Sequence, residues 1–119
     1  MQKFSFLIPC YNCEKIIINN GLKLLKKIKK NKIFFEICFL NDGSNDNTLI
    51  NLNKLKKKSK EIKVINFKIN KGKSSVLKKT LRRINGDIII FYDCDLPYFN
   101  YLNKVIDLLR NGEKFVTID

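Results

Sequence analysis

An α/β fold, an open and mostly parallel sheet with helices on both faces, is predicted by three features of this 119-residue chain. Short, nearly continuous apolar runs alternate with segments whose apolar residues recur at helical spacing. Those runs are apolar at successive positions, as strands covered on both sides must be. Polar and glycine-containing stretches gather after the strands, at the edge where open α/β sheets bind ligands.

The first strand, FSFLIP (4–9), leads to a helix on which Ile17, Gly21, Leu24, Leu25 and Ile28 share a face, with Asn12 or Cys13 as its cap. The second, FFEICFL (34–40), precedes a helix that turns Leu49, Leu52 and Leu55 inward behind an Asp46 cap. After the third strand, KVINF (63–67), a helix aligns Val76, Leu77, Thr80, Leu81 and Ile84. DIIIFY (87–92) is the fourth strand. Its helix aligns Leu102, Val105, Ile106 and Leu109, and Gly112 stands just past the end. KFVTI (114–118) reads as a fifth strand. Right-handed crossovers then place helices on both faces.

Hydrophobic residues make up 45% of the chain, enough to exclude disorder. No apolar run approaches the roughly 20 residues of a membrane helix. MQKFSFLIPC is too short for a secretory leader and lacks its cleavage pattern, so a cytoplasmic location is expected. The net charge of +13 comes mainly from lysines in 23–32, 54–63 and 78–83. Such a balance suits nucleic acid, an anionic membrane surface or a phosphorylated ligand. The lysines fall on helix faces without interleaved aromatics, so nucleic acid is not expected. Because Lys, Asn and Ile abound throughout, the charge also reads as an encoding bias.

Four stretches deliver chemistry to one edge: PCYNCE (9–14), NDGSNDNT (41–48), NKGKSS (70–75) and DCDLP (93–97). In the last, strand alternation places Asp93 and Asp95 on one side with Cys94 pointing away. Two close carboxylates repel, and Mg2+ or Mn2+, which prefers oxygen ligands and keeps positions for phosphates, relieves that repulsion. In the second stretch Gly43 permits the turn and Ser44 or Asp46 caps the helix, leaving Asp42 free to accept N–H bonds from a base. The third is not a P-loop, because Phe67 stands where the first glycine is required. Lys73 is either a point charge facing phosphate or base, or a solvated lysine at a helix start.

In this order and spacing the four stretches resemble family 2 glycosyltransferases of the GT-A fold. The matching residues are Pro9, Tyr11, Asn12 and Glu14; Asp42, Gly43, Ser44, Asp46 and Thr48; Asn70, Gly72 and Lys73; and Gly86, Asp87, Asp93 and Asp95. The resemblance implies a Rossmann-like, nucleotide-binding half of a GT-A fold, with 1–119 as a single nucleotide-sugar-binding domain. It implies transfer of sugar from a UDP- or GDP-sugar. Pro9, Tyr11 and Glu14 would line the nucleoside pocket, with Tyr11 close to the base, Asp42 bonded to it and Lys73 near base or ribose. Asp93 would sit near ribose and diphosphate, and Asp95 would coordinate the metal with it.

Within the family, DCDLP after NKGKSS is most similar to polyprenyl-phosphate sugar transferases. That implies a lipid phosphate or a cell-surface glycan as acceptor, and peripheral contact at the cytoplasmic face of the membrane. Two departures stand out: Asn41 for the first Asp of D-D-G-S, and Pro97 where many of these enzymes carry a metal-binding Gln. The family's catalytic domains are longer. The chain is therefore expected to be a donor-binding half, with the catalytic base beyond Asp119 and self-association through a sheet edge near the fifth strand. The alternative is a catalytically silent module that binds a nucleotide or a partner.

Cys10 and Cys13 have the C-x-x-C spacing of a redox pair or half a zinc site. A zinc site needs two further ligands, yet Cys38 lies within the second strand, Cys94 lies between the aspartates, and there is no histidine. The cysteines occupy variable positions of the family pattern and read as reduced bystanders.

Overall fold

In the computed structural model, which describes residues 1–113 and 116, four parallel strands lie in the order β3-β2-β1-β4. They are β1 (Lys3–Cys10), β2 (Phe34–Asp42), β3 (Ile62–Phe67) and β4 (Ile88–Phe91). Each is followed by a helix: α1 (Ile17–Lys29), α2 (Thr48–Lys56), α3 (Lys73–Leu81) and α4 (Leu102–Arg110), the last entered through a 3-10 turn at Phe99–Tyr101. The expected strand at 114–118 lies outside the described residues. Among the described residues, no helix is long and apolar enough to cross a membrane.

Strand alternation divides β1 between two cores. Phe4, Phe6, Ile8 and Cys10 pack with residues of α1, α2 and α4, including Leu24, Ile28, Leu52, Leu55 and Ile106. Leu7 faces the other way and joins Cys38, Leu40 and Val76, the last supplied by α3. Fully burying each such side chain is worth about 1.5–3 kcal/mol. Helices thus cover both faces, three on one and α3 alone on the other.

Three expectations are not met, the first of them because of that imbalance. Ile89 and Phe91 of β4 are 40% and 56% exposed, although the apolar run implied cover on both sides. They pair with Ser5 and Leu7, on the α3 face, and α3 packs over β1 and β2. Leu81 is exposed at the last turn of α3, and Ile84 lies beyond the helix end, although it packs with Leu77 against the same cluster as Val76. Nor does Asn12 cap α1, whose first N–H groups, of Ile16 and Ile17, donate to the Cys13 carbonyl. Asp46 does act as a cap, accepting the Thr48 N–H at 2.9 Å. Gly112 ends α4 in a Schellman arrangement: its own N–H donates to Leu109 O and that of Glu113 to Leu108 O.

Register brings the strand ends level. Cys10 pairs with Asn41, and Asn41 with Asn66. At the opposite end of the sheet, Glu36 is 3% exposed. It accepts from Ser5 Oγ at 3.1 Å and is ion-paired to Lys3 Nζ and Lys63 Nζ, each at 3.1 Å. Burial alone would raise its carboxyl, but bonds from Lys63, Lys3 and Cys38 outweigh it and hold the group below its ordinary value.

A depressed folded-state value adds stability that is present above the unfolded carboxylate range, about 4.3, and is lost as pH falls through the folded value. Glu36→Gln should therefore cost about 1–3 kcal/mol near neutral pH, less than for a fully enclosed pair because Lys63 is half exposed. Urea unfolding should show that difference shrinking toward about pH 3. A pH-independent difference would count against the charge network.

Candidate functional site

Beyond the carboxyl ends of the strands lies a cleft of about 660 Å³. Pro9, Tyr11, Glu14, Asp42, Lys73, Asp93 and Asp95, the residues singled out from the sequence, all line it. Its position follows from the strand order. Successive strands run outward from β1 to β3, then the chain returns to place β4 on the other side of β1. The loops after β1 and β4 diverge there and leave a crevice.

The β1–α1 and β2–α2 loops are stitched together. Asn12 N–H donates to Ser44 Oγ at 3.0 Å, and Asn45 N–H donates to Asn12 Oδ1 at 2.8 Å. Cys13 N–H donates to Thr48 Oγ1 at 2.9 Å, and Glu14 N–H to Asp46 Oδ2 at 3.3 Å. In return Glu14 Oε2 accepts from Asn47 N–H, and its carbonyl accepts from Asn51 Nδ2. Asn12 adopts φ 48° to make its bonds, a left-handed conformation that Asn tolerates better than most residues. Glu14 therefore borders the cleft while its carboxylate serves the start of α2. The sequence signal for this stitching was present, since Ser44 and Thr48 belong to the matched pattern, but no strand or helix periodicity says which loops touch.

Asp42 is not free, as the sequence reading expected. Its carboxylate accepts from Lys71 N–H at 2.8 Å, Gly72 N–H at 2.9 Å and Asn70 Nδ2 at 3.2 Å. A carboxylate offers about four acceptor positions, so one remains. Beside it, Asn41 Nδ2 donates to Asn66 Oδ1 across the β2–β3 pair.

The loop after β4 also departs from expectation. The strand ends at Phe91, so alternation does not reach the D-C-D segment. Residues 93–96 instead form a turn closed by the Leu96 N–H to Asp93 O, with Leu96 at φ 57°. Asp93 and Asp95 both reach the cleft, and so does Cys94. Asn20 Nδ2 holds the Cys94 carbonyl at 2.9 Å. Its thiol, rather than pointing away, lies within 4.8 Å of those of Cys10 and Cys13. Bonds from Cys10 and Cys13 pull the Cys94 thiol down, while bonds with Cys13 and Cys94, together with burial, push Cys10 well up.

Lys73 Nζ pairs with Asp93 Oδ1 at 2.6 Å, both side chains about half exposed. Among the described residues, the Asp95 carboxylate enters no ion pair. Tyr92 is pushed up to about 12 by burial and by the nearby charges of Asp95 and Asp93. Its hydroxyl donates to Pro97 O at 2.7 Å. Two exposed carboxylates at an open cleft fit Mg2+ or Mn2+, which takes one or two carboxylates and completes its shell with water and substrate phosphate.

The model of glycosyl transferase family 2 matches residues 5–119. The chain is 32% identical over 117 residues to an uncharacterized glycosyltransferase of Synechocystis, covering 96% of this chain and 36% of that protein. It is 31% identical to dolichyl-phosphate beta-glucosyltransferase of Dictyostelium discoideum, covering 92% and 36%. To the poly(ribitol-phosphate) beta-N-acetylglucosaminyltransferase TarS of Staphylococcus aureus it is 32% identical, covering 98% and 19%. The chain thus spans about a third or less of the length of these relatives. In fold it is similar to the mannosyltransferase PcManGT from Pyrobaculum calidifontis in complex with GDP-Man and Mn2+, with a TM-score of 0.75 and 19% identity over 97% of this chain and 34% of that one. It is also similar to glucosyl-3-phosphoglycerate synthase from Mycobacterium tuberculosis in complex with Mn2+, UDP and phosphoglyceric acid. That TM-score is 0.72, with 22% identity over 94% and 40% of the two chains. The four-stranded parallel sheet and its helices match the amino-terminal half of the GT-A fold.

Two glycines separate backbone strain from collision. Gly43 has φ 63°, and a Cβ there would lie 2.3 Å from Asn70 N and 2.7 Å from Ile69 C, backbone atoms that cannot step aside. Gly72 has φ 93° with open space around it. Gly72→Ala should cost only the backbone conformation, φ 93° with ψ 155°, an extended positive-φ region nearly exclusive to glycine, about 1–3 kcal/mol. Gly43→Ala should cost about 3 kcal/mol or more, since overpacking adds to the strain. Urea midpoints at constant m measure both. Equal losses would mean that the Gly43–Asn70 approach is not what the glycine is for.

Proposed function

We propose that this chain, which belongs to glycosyl transferase family 2, binds the nucleotide-diphosphate part of a UDP- or GDP-sugar in the cleft and presents the sugar for transfer. The convergence of Tyr11, Asp42, Lys73, Asp93 and Asp95 on one cleft at the switch point of the sheet carries this reading. Tyr11 is 48% exposed there, a ring free to stack on a base. The fourth acceptor position of Asp42 suits an N–H of that base, and the three bonds from the 70–72 loop hold the carboxylate still. Pro9 and Glu14 border the nucleoside side.

The Lys73–Asp93 pair would open when donor binds, since each partner has a stronger claim elsewhere. Lys73 turns to phosphate, and Asp93 to the ribose and the metal. Such an exposed pair is worth at most about 1 kcal/mol, so separating it costs little. Mg2+ or Mn2+ held by Asp93 and Asp95 would neutralise the charge of the departing nucleoside diphosphate. Two of the structures similar in fold were obtained with Mn2+ and a nucleotide or nucleotide sugar, which supports the same cofactor class here.

For the acceptor we favour a phosphate-bearing lipid or polymer, such as a polyprenyl phosphate or a cell-surface glycan. Relatives named for dolichyl phosphate and poly(ribitol-phosphate) support this, as does a net charge of +13. Peripheral contact with an anionic membrane surface would follow.

Calorimetry with UDP and GDP, with and without Mn2+, tests the donor site. Binding should require the metal, and Asp95→Asn should weaken it by about tenfold or more. Equal binding in metal and in chelator would remove the metal from the site. Absence of any binding under all conditions would remove the nucleotide as well.

A further inference from the structure

We propose that Cys10, Cys13 and Cys94 form a three-thiolate site for a soft, thiophilic divalent cation, Zn2+ or its mimic Cd2+, in the wall of the cleft. The three sulfurs come from three separate segments: the end of β1, the β1–α1 loop and the turn after β4. Yet all three lie within 4.8 Å of one another. Zinc–thiolate bonds of about 2.3 Å set sulfurs about 3.8 Å apart in a tetrahedron. The site closes on an ion with side-chain shifts of about 1 Å or less, within the reach of small rotamer changes.

The supports are already rigid. Cys10 ends the strand paired to both β2 and β4, Cys13 N–H is held by Thr48 Oγ1, and the Cys94 carbonyl is held by Asn20. Buried cysteines commonly serve packing, and Cys38 of β2 does so, lying with Leu7, Leu40 and Val76 and giving its S–H to Glu36. Cys10 and Cys13 are buried in the main core as well, with half-buried Cys94 packed against them, but unlike Cys38 all three border the open cleft, which gives an ion its entry path and a fourth position for water. Each thiol that binds gives its proton to solvent. Chemistry keeps this site apart from the aspartates: thiolates select soft cations, and carboxylates select Mg2+ or Mn2+. An ion on the three sulfurs would pin the turn that carries Asp93 and Asp95 against β1.

Titrating the reduced, chelator-treated chain with Cd2+ in excess Mg2+ reads the site through its thiolate-to-cadmium charge-transfer absorbance. The band should saturate at one Cd2+ per chain, be displaced by Zn2+ and not by Mn2+, and survive Cys38→Ala. Cys94→Ser should weaken binding by more than about tenfold, since losing a ligand costs at least as much as losing its outer partner. No saturating band, a band unchanged in Cys94→Ser, or equal loss in Cys38→Ala would each overturn the site. Cadmium-113 resonance of the unmodified chain provides a measure that needs no variant. A three-sulfur shift supports the site and an oxygen-type shift refutes it. Neither readout involves nucleotide, so this site and the donor site fail separately.

Discussion

The carboxylate of Asp42 sits at the end of β2 almost wholly shielded from water, and a charge so placed persists only if donors surround it. Its donors all come from one short segment, Asn70 to Gly72. Hydrogen bonds to a charged group are worth about 1.5–3 kcal/mol each, so this segment has one strongly preferred place. The bonded Gly72 immediately precedes α3, which fixes where that helix starts and where Lys73 stands. Lys73 then meets Asp93 from across the crevice. One buried charge thus sets the relation between the second, third and fourth loops. Gly43 is part of the same device, since only a residue without Cβ lets the β2–α2 turn approach Ile69 and Asn70 so closely.

The first loop is fixed differently. Asn12, Cys13 and Glu14 exchange bonds with Ser44, Asn45, Asp46, Asn47 and Thr48, several of them between main-chain N–H and side-chain oxygen. α1 has no side-chain cap: the Cys13 carbonyl takes the Ile16 and Ile17 N–H groups, and the bonds exchanged with 44–48 fix the loop that carries that carbonyl. Residues of a motif usually credited with ligand contact are therefore also the frame of the pocket. Changing Asn12, Ser44 or Thr48 would displace Tyr11 without touching a ligand.

Much of the fold was legible because the two periodicities differ so clearly. FSFLIP cannot be an amphipathic helix, and the spacing of Ile17, Gly21, Leu24 and Ile28 cannot be a strand. The cleft was legible too, since strand ends in a parallel sheet must share an edge. Less visible was how far each helix reaches sideways. Ile89 and Phe91 look like core residues in sequence, but α3 lies over β1 and β2, so they remain exposed. Nor could the sequence show that β4 ends at Phe91. Carrying the strand alternation on through Asp95 put Cys94 on the wrong side, and with it went the meeting of Cys94 with Cys10 and Cys13, more than eighty positions earlier.

The turn at residues 93–96 brings two carboxylates and a thiol to one cleft because it is not a strand. In an extended chain, alternate residues face opposite sides, and a cysteine between two aspartates would be sent away from them. A tight turn with Leu96 in the left-handed region removes that separation, and all three side chains reach one cleft. Bulky residues adopt that region at a cost of about 1–2 kcal/mol, so something must hold it. Leu96 is buried in the main core and Tyr92 Oη reaches Pro97 O, two anchors that offset the strain. Pro97 continues the same logic: it donates no N–H, yet its carbonyl is the acceptor that Tyr92 needs. The residue that departs from the family pattern thus keeps the turn in place through its main chain, which any residue at that position could do. The departure therefore bears on what the side chain offers a metal, not on whether Asp93 and Asp95 are presented.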